Sequence, residues 1–267
     1  MPSDRDASTT RSRIHRELGR AIVGAIVTLE LVWILFVLAS SLGNPSFGLD
    51  YRWHMDATRR MLDTGTPYLA WQLAGPYEIG NGAILYPPTA FALFLPFLVL
   101  PAVLWWVVPI TITAAAMAIH RPPAWTWTVT VALFGLEKSL NVYVFGNPTM
   151  WIVAAVAAGT VVRWPFVYLL AKPTFAPIAL IGARRRSWWL ALGIMAVGSL
   201  AFGHMWIDWV AVVRNSNVSL SYNLPTLPLV LAPLIPWIAS EPDKFWRSLR
   251  PHRRGVGGPA ASPTPAA

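Results

Sequence analysis

Long apolar runs broken by short polar punctuation dominate this chain. They fall at about residues 21–42, 89–119, 124–140, 148–163, 165–183, 187–203 and 227–239. Crossing ~30 Å of hydrocarbon takes about 20 apolar residues in a helix, so the pattern predicts an all-α, polytopic transmembrane protein with several irregular spans. The run 89–119 is too long for one straight span and carries Pro96, Pro101 and Pro109. It is either one kinked helix or two short helices meeting near Pro101. The choice decides which side Gly146 faces. Placing Arg121 and Arg163 inside favours one net crossing in 89–119. The run 165–183 must then enter and return as two half-helices broken at Lys172-Pro173.

The stretch between the first two runs, residues 43–88, is the most informative loop. Tyr51, Met55, Thr58 and Leu62 form one stripe of a short amphipathic helix that stops at Gly65 and Pro67. Asp50 stands where an N-cap belongs, and Asp is a preferred cap. A carboxylate at a bilayer boundary is also costly to desolvate, which makes it a functional candidate; the two roles are compatible. His54 lies one turn on, where it can orient the carboxylate, donate to a substrate or point into the headgroups. Tyr86-Pro87-Pro88 leads into the second run as an extended approach with an interfacial tyrosine, which structure alone explains.

Composition and charge refine this picture. Hydrophobic residues make up 55% of the chain and charged residues 12%, which excludes a soluble globular core. The formal charge of +9 is no nucleic-acid signal, because the basic residues cluster at the ends of apolar runs. Arg5, Arg11, Arg13, Arg16 and Arg20 precede the first run, Arg184-Arg185-Arg186 separate two others, and Lys244, Arg247, Arg250, Arg253 and Arg254 follow the last. By the positive-inside rule all three clusters are cytoplasmic. Residues 1–20 then form a basic cytoplasmic N-terminus, 21–42 a retained anchor rather than a signal peptide, 21–240 a multi-spanning membrane domain, and 241–267 a disordered basic cytoplasmic tail. The loop 43–88, with Asp50, faces outward. The chain has no cysteine, which removes disulfides, thiolate catalysis and Cys-ligated metals. Its 15 Trp and 24 Pro suit interfacial anchoring and broken spans around a site within the membrane.

Lys172, within Leu169-Leu170-Ala171-Lys172-Pro173, is too deep in its run to snorkel and needs an anionic partner. Glu30 or Glu137 is one candidate and a bound phosphate the other. His204 and Asp208, four residues apart with Trp206 and Trp209 around them, read as an interfacial helix rather than a metal site, and no metal or cofactor is called for. Asn217-Val218-Ser219 fits a glycosylation sequon by pattern.

Asp50 with Arg52, His54 and Ala57, then Gly65-Thr66-Pro67-Tyr68, Tyr86-Pro87-Pro88, Gly146-Asn147 and Lys172-Pro173 with Pro177, resembles in order and spacing the integral-membrane glycosyltransferase family 87. That family is of the GT-C class and includes polyprenyl-phosphate-mannose-dependent mannosyltransferases of actinobacteria. The chain departs from its pattern at His54 and Asn147, where tyrosine and glutamine are usual, and in a shorter C-terminal half. The resemblance implies a multi-pass protein of the plasma membrane, in a bacterium the inner membrane, that moves a sugar such as mannose from a polyprenyl-phosphate donor to a lipid or glycan acceptor at the outer face. It implies Asp50 as catalytic base, Lys172 near the donor phosphate, and His54, Tyr68, Tyr86 and Asn147 as substrate-binding positions. The chemistry of inverting transfer agrees, since it needs a base for the acceptor hydroxyl and positive charge at the departing phosphate. A transporter or flippase, or an inert scaffold derived from such an enzyme, is the alternative.

Overall fold

The computed structural model describes residues 4–80, 82–218 and 224–240. The tail expected over 241–267 and the sequon's Ser219 lie outside them. The described chain is helical, and its one β feature is an isolated parallel bridge between Tyr77 and Ser216. In order come α1 (Asp4–Ser41), α2 (Leu49–Thr64), α3 (Ala70–Ala74), α4 (Phe91–Phe94), α5 (Leu104–Ile119), α6 (Ala124–Gly135), α7 (Glu137–Phe145), α8 (Thr149–Val162), α9 (Ala176–Ala179), α10 (Arg186–Ser199), α11 (Met205–Asn215), α12 (Leu227–Leu231) and α13 (Leu234–Ser240). Short 3-10 turns join several of them.

Within α1, Glu17–Ser41 is the one helix among the described residues long and apolar enough to cross a membrane by itself. It packs on α6 and α7 along one side and leaves Leu29, Trp33 and Leu35 exposed along another. Two bent pairs pass the same test only when each is taken as one span. Glu137–Phe145 and Thr149–Val162 meet at 108°, and Arg186–Phe202 and Met205–Asn215 at 92°. The remaining apolar helices are shorter.

The run 89–119 resolves into two pieces with a break at Val99–Val103. Leu104–Ile119 forms α5, while the 3-10 turns and α4 between Pro88 and Leu98 fold against α2. Pro96 and Pro101 supply no backbone N–H to a continuous helix, whereas Pro109 is accommodated inside α5. One end of α5 is fixed beside the 137–149 corner, where the indole N–H groups of Trp105 and Trp106 donate to the carbonyls of Gly146 and Tyr143 at 2.8 and 2.7 Å. Its other end meets the far end of α8, where His120 bonds Thr160. A single passage thus links the Asp50 end of the bundle to the end bearing Arg121, Arg163 and Arg184 to Arg186.

The run 165–183 goes in and comes back. From Arg163 a 3-10 segment, Trp164–Ala171, runs up the side of α8, turns at Lys172 and returns through Pro173–Phe175, α9 and Leu180–Gly182. Both feet of this hairpin stand at the basic end, since a Cβ on Gly182 would lie 2.7 Å from the Arg163 carbonyl oxygen. Gly159 lets the rising leg close in, because a Cβ there would lie 2.7 Å from the Phe166 ring. Phe166, Leu169 and Phe175 are buried with Val153 and Val156 of α8 in the main core.

The loop 43–88 is not isolated. Tyr77 pairs its backbone with Asn215 and Asn217, its hydroxyl donates to Val212 O at 3.0 Å, and Asn215 donates to the Gln72 and Leu73 carbonyls. The segment after α10 therefore closes over residues 68–85 and forms a small second core of Tyr68, Tyr77 and Val212.

Candidate functional site

Two glycines in left-handed conformations build the corner on which the site rests. Gly48 (φ 69) and Gly146 (φ 68) face the Trp106 ring from two sides, and the Gly48 N–H donates to Val144 O at 2.8 Å. A Cβ at Gly146 would come within 2.7 Å of Trp106 and 3.0 Å of Tyr51, so glycine is required on steric as well as backbone grounds. This fixes where α2 starts. Gly48, not Asp50, is the N-cap, and it supplies no side-chain cap bond. Asp50 falls instead within the first turn and turns its carboxylate toward Asn147. The expected stripe also shifts: Met61 is 5% exposed and Leu62 61%, because the buried face is set by His54, Met55, Ala57, Thr58 and Met61. The helix does end at Gly65, in the left-handed conformation expected of a helix stop.

Asn147 ties three groups together. Its Nδ2 donates to Asp50 Oδ2 at 2.6 Å, and its Oδ1 accepts from the Thr149 backbone N–H at 2.9 Å and from the Thr149 hydroxyl at 2.6 Å. The second contact makes an Asx turn that opens α8. Lys172, at the tip of the hairpin, donates from Nζ to Thr149 Oγ1 at 2.7 Å. Donor and acceptor roles run one way along the chain, from ammonium to hydroxyl to amide to carboxylate. Neither Glu30 nor Glu137 partners Lys172. Its ammonium also lies 5.6 Å from the Tyr86 ring centroid and 5.4 Å from that of Phe175, within cation–π range.

Burial pushes the Asp50 carboxyl above the ordinary carboxylate range, and the Asn147 hydrogen bond and the charge of Lys172 partly offset it. His54 is 5% exposed, edge-on to Tyr86 and Phe94 at 5.3 and 5.0 Å between centroids. Its Nδ1 lies 2.5 Å from the Asp50 main-chain oxygen, which can only accept, so Nδ1 carries the proton. Burial holds the ring at a pKa of about 4 and therefore neutral near pH 7. Nε2, which has no partner among the described residues, is then an acceptor. His54 thus braces α2 rather than orienting the carboxylate, and it can receive but not donate a hydrogen bond at Nε2.

Tyr68 is buried and its hydroxyl donates to the Tyr86 carbonyl at 2.8 Å, so it holds the approach to Pro87-Pro88 in place. The six residues singled out in the sequence, Asp50, His54, Tyr68, Tyr86, Asn147 and Lys172, thus form one contiguous cluster joined by the contacts above. Thr149, which sequence reasoning missed, links Asn147 to Lys172; the only signal was Asn-Pro-Thr directly after a glycine, a pattern suited to a capped helix start. Arg52 and Arg60 take no part, since they bond the carbonyls of Pro45, Phe47 and Pro67. His204 and Asp208 sit at the start of α11. No family model matches this chain, and neither curated proteins nor solved structures include a significant match.

Proposed function

We propose that the protein is a multi-pass membrane glycosyltransferase that moves a sugar from a polyprenyl-phosphate donor to a lipid or glycan acceptor at the extracytoplasmic face. The observation that carries this reading is the Asp50–Asn147–Thr149–Lys172 relay, which joins a carboxylate of raised proton affinity to an ammonium through two hydrogen-bonding side chains. In the reaction, Asp50 accepts the proton of the acceptor hydroxyl as its oxygen bonds the anomeric carbon. The bond from that carbon to the donor phosphate oxygen breaks, and Lys172 stabilises the charge left on the phosphate. His54 Nε2 is suited to accept from a sugar hydroxyl, and the Tyr86 ring to pack against the sugar. The cytoplasmic side is the end with Arg121, Arg163 and Arg184 to Arg186, by the positive-inside rule. The bent helix pairs and the hairpin then serve as broken and half-spanning segments, which bilayers tolerate where irregular backbone is covered by protein.

The test is transfer by membranes containing the full chain, supplied with polyprenyl-phosphate hexoses. Asp50→Asn is expected to abolish transfer with insertion and abundance unchanged, and Lys172→Ala to weaken use of the donor more than of the acceptor. Full activity in Asp50→Asn removes the base; the reverse bias in Lys172→Ala removes the phosphate contact. The lysine-tipped hairpin also suits a carrier of a polar or lipid-linked solute. That reading is separated by movement of labelled solute with no new glycosidic bond.

A further inference from the structure

A concave site lies at the end of the bundle opposite the Asp50 cluster. It is a cavity of about 560 Å³, lined by His120 at the end of α5, Thr160 and Arg163 at the end of α8, Arg185 and Ser187 at the start of α10, and Trp237 of α13. Thr149 and Val162 bound α8, whose 14 residues put this cavity about 21 Å from the Asp50 cluster at 1.5 Å per residue. Among the described residues the lining contains two arginines, a histidine and two hydroxyl residues and no carboxylate.

The walls are built rather than incidental. Arg163 is half-buried and stacks on the buried Trp237 ring at 4.3 Å. Stacking engages a guanidinium by its face, whereas a phosphate engages it by its edge, so the two contacts are compatible. Thr160 donates its hydroxyl to Ala157 O at 2.6 Å, so His120 Nε2, 2.7 Å from that hydroxyl, must be the donor, which fixes the imidazole in the wall. Arg121 (φ 46) and Arg163 (φ 67) are the positive-φ residues other than glycine among those described, and they flank the cavity. Such backbone strain persists where the surroundings over-determine it. Ile119, Val161 and Val162 add an apolar wall, and the volume falls in the range of small-molecule sites.

We propose that this cavity binds a phosphate ester, gripped by Arg163 and Arg185 with the ester's organic portion against Ile119 and Val162. A phospholipid headgroup and a soluble phosphate ester share that chemistry. The inference stands apart from the transfer reaction, because it rests on none of the residues of the Asp50 cluster.

The test uses the full chain in nanodiscs. One arm compares neutral phosphatidylcholine discs with discs containing phosphatidic acid and measures lipid retained on the protein by native mass spectrometry. The other titrates glycerol 3-phosphate into neutral discs by calorimetry. One of the two probes is expected to bind saturably. Arg185→Gln should weaken it about tenfold, as loss of one charge-assisted hydrogen bond implies. Arg184→Gln, a neighbour outside the lining, should change it less than about twofold and so controls for diffuse charge. Selective retention of phosphatidic acid identifies a lipid headgroup site, and saturable glycerol 3-phosphate binding in neutral discs a soluble ester site. Binding of neither probe, or equal weakening by both substitutions with melting temperatures unchanged, overturns the proposal.

Discussion

Asp50 and Thr149 carry the predictions that belong to single residues. A base must be ionised to act, and the Asp50 proton is held more tightly than in an exposed carboxyl because burial outweighs Asn147 and Lys172. The acidic limb of the transfer rate is therefore expected above pH ~4, the ordinary carboxylate value. Asn147→Leu, which removes a hydrogen bond favouring the charged form, should move that limb higher. No separate histidine limb near pH 6.5 is expected from His54, which burial holds at about 4. A rate profile from the purified protein decides this, and a limb at or below pH 4 contradicts it. Thr149→Val leaves Lys172 without its hydrogen-bond acceptor and takes one of two donors from Asn147 Oδ1, which keeps the residue 149 backbone N–H. Transfer should fall roughly 10- to 100-fold, the equivalent of ~1–3 kcal/mol per buried group left unsatisfied. Thr149→Ser should restore most of it. The loss should appear in kcat as much as in KM; a purely structural hydroxyl would instead lower the melting temperature and the amount of protein inserted.

At the scale of elements, the 137–149 corner is the feature whose failure has the widest reach. Gly146→Ala is expected to destabilise the protein by about 3 kcal/mol or more, combining left-handed strain with a methyl forced against Trp106 and Tyr51. Thermal unfolding in detergent measures it, and a wild-type melting temperature would show that the corner can relax. Much at this scale was legible from the chain. Helix α2 with its stop at Gly65, the break near Pro101 and the fold-back at Lys172-Pro173 follow from proline chemistry, apolar run length and the placing of arginines. The start of α2 was not, because a glycine held by a distant carbonyl, Val144 O, displaced the better local cap at Asp50. Nor was the closure of α11 over residues 68–85. It depends on Tyr77, Gln72 and Asn215, polar residues with no periodicity whose partners lie more than a hundred positions away.

For the whole molecule, the arrangement of ends makes a prediction that the native chain is ready to test, since it has no cysteine. A single cysteine replacing Thr66 should react with a membrane-impermeant maleimide in intact cells, and one replacing Arg184 only after permeabilisation. The opposite pattern would invert the orientation on which the transfer reading depends. The six candidate residues were legible as a set, yet their meeting was not, since it requires a corner, a hairpin and the loop 43–88 from separate parts of the chain to converge. The hairpin also sets what Lys172 depends on. With both feet of Trp164–Gly182 at the basic end, the lysine stands at a tip and not midway along a continuous helix. Its acceptor, the Thr149 hydroxyl, lies 23 positions earlier at the start of α8, so any change that unseats that first turn strands the cation as well.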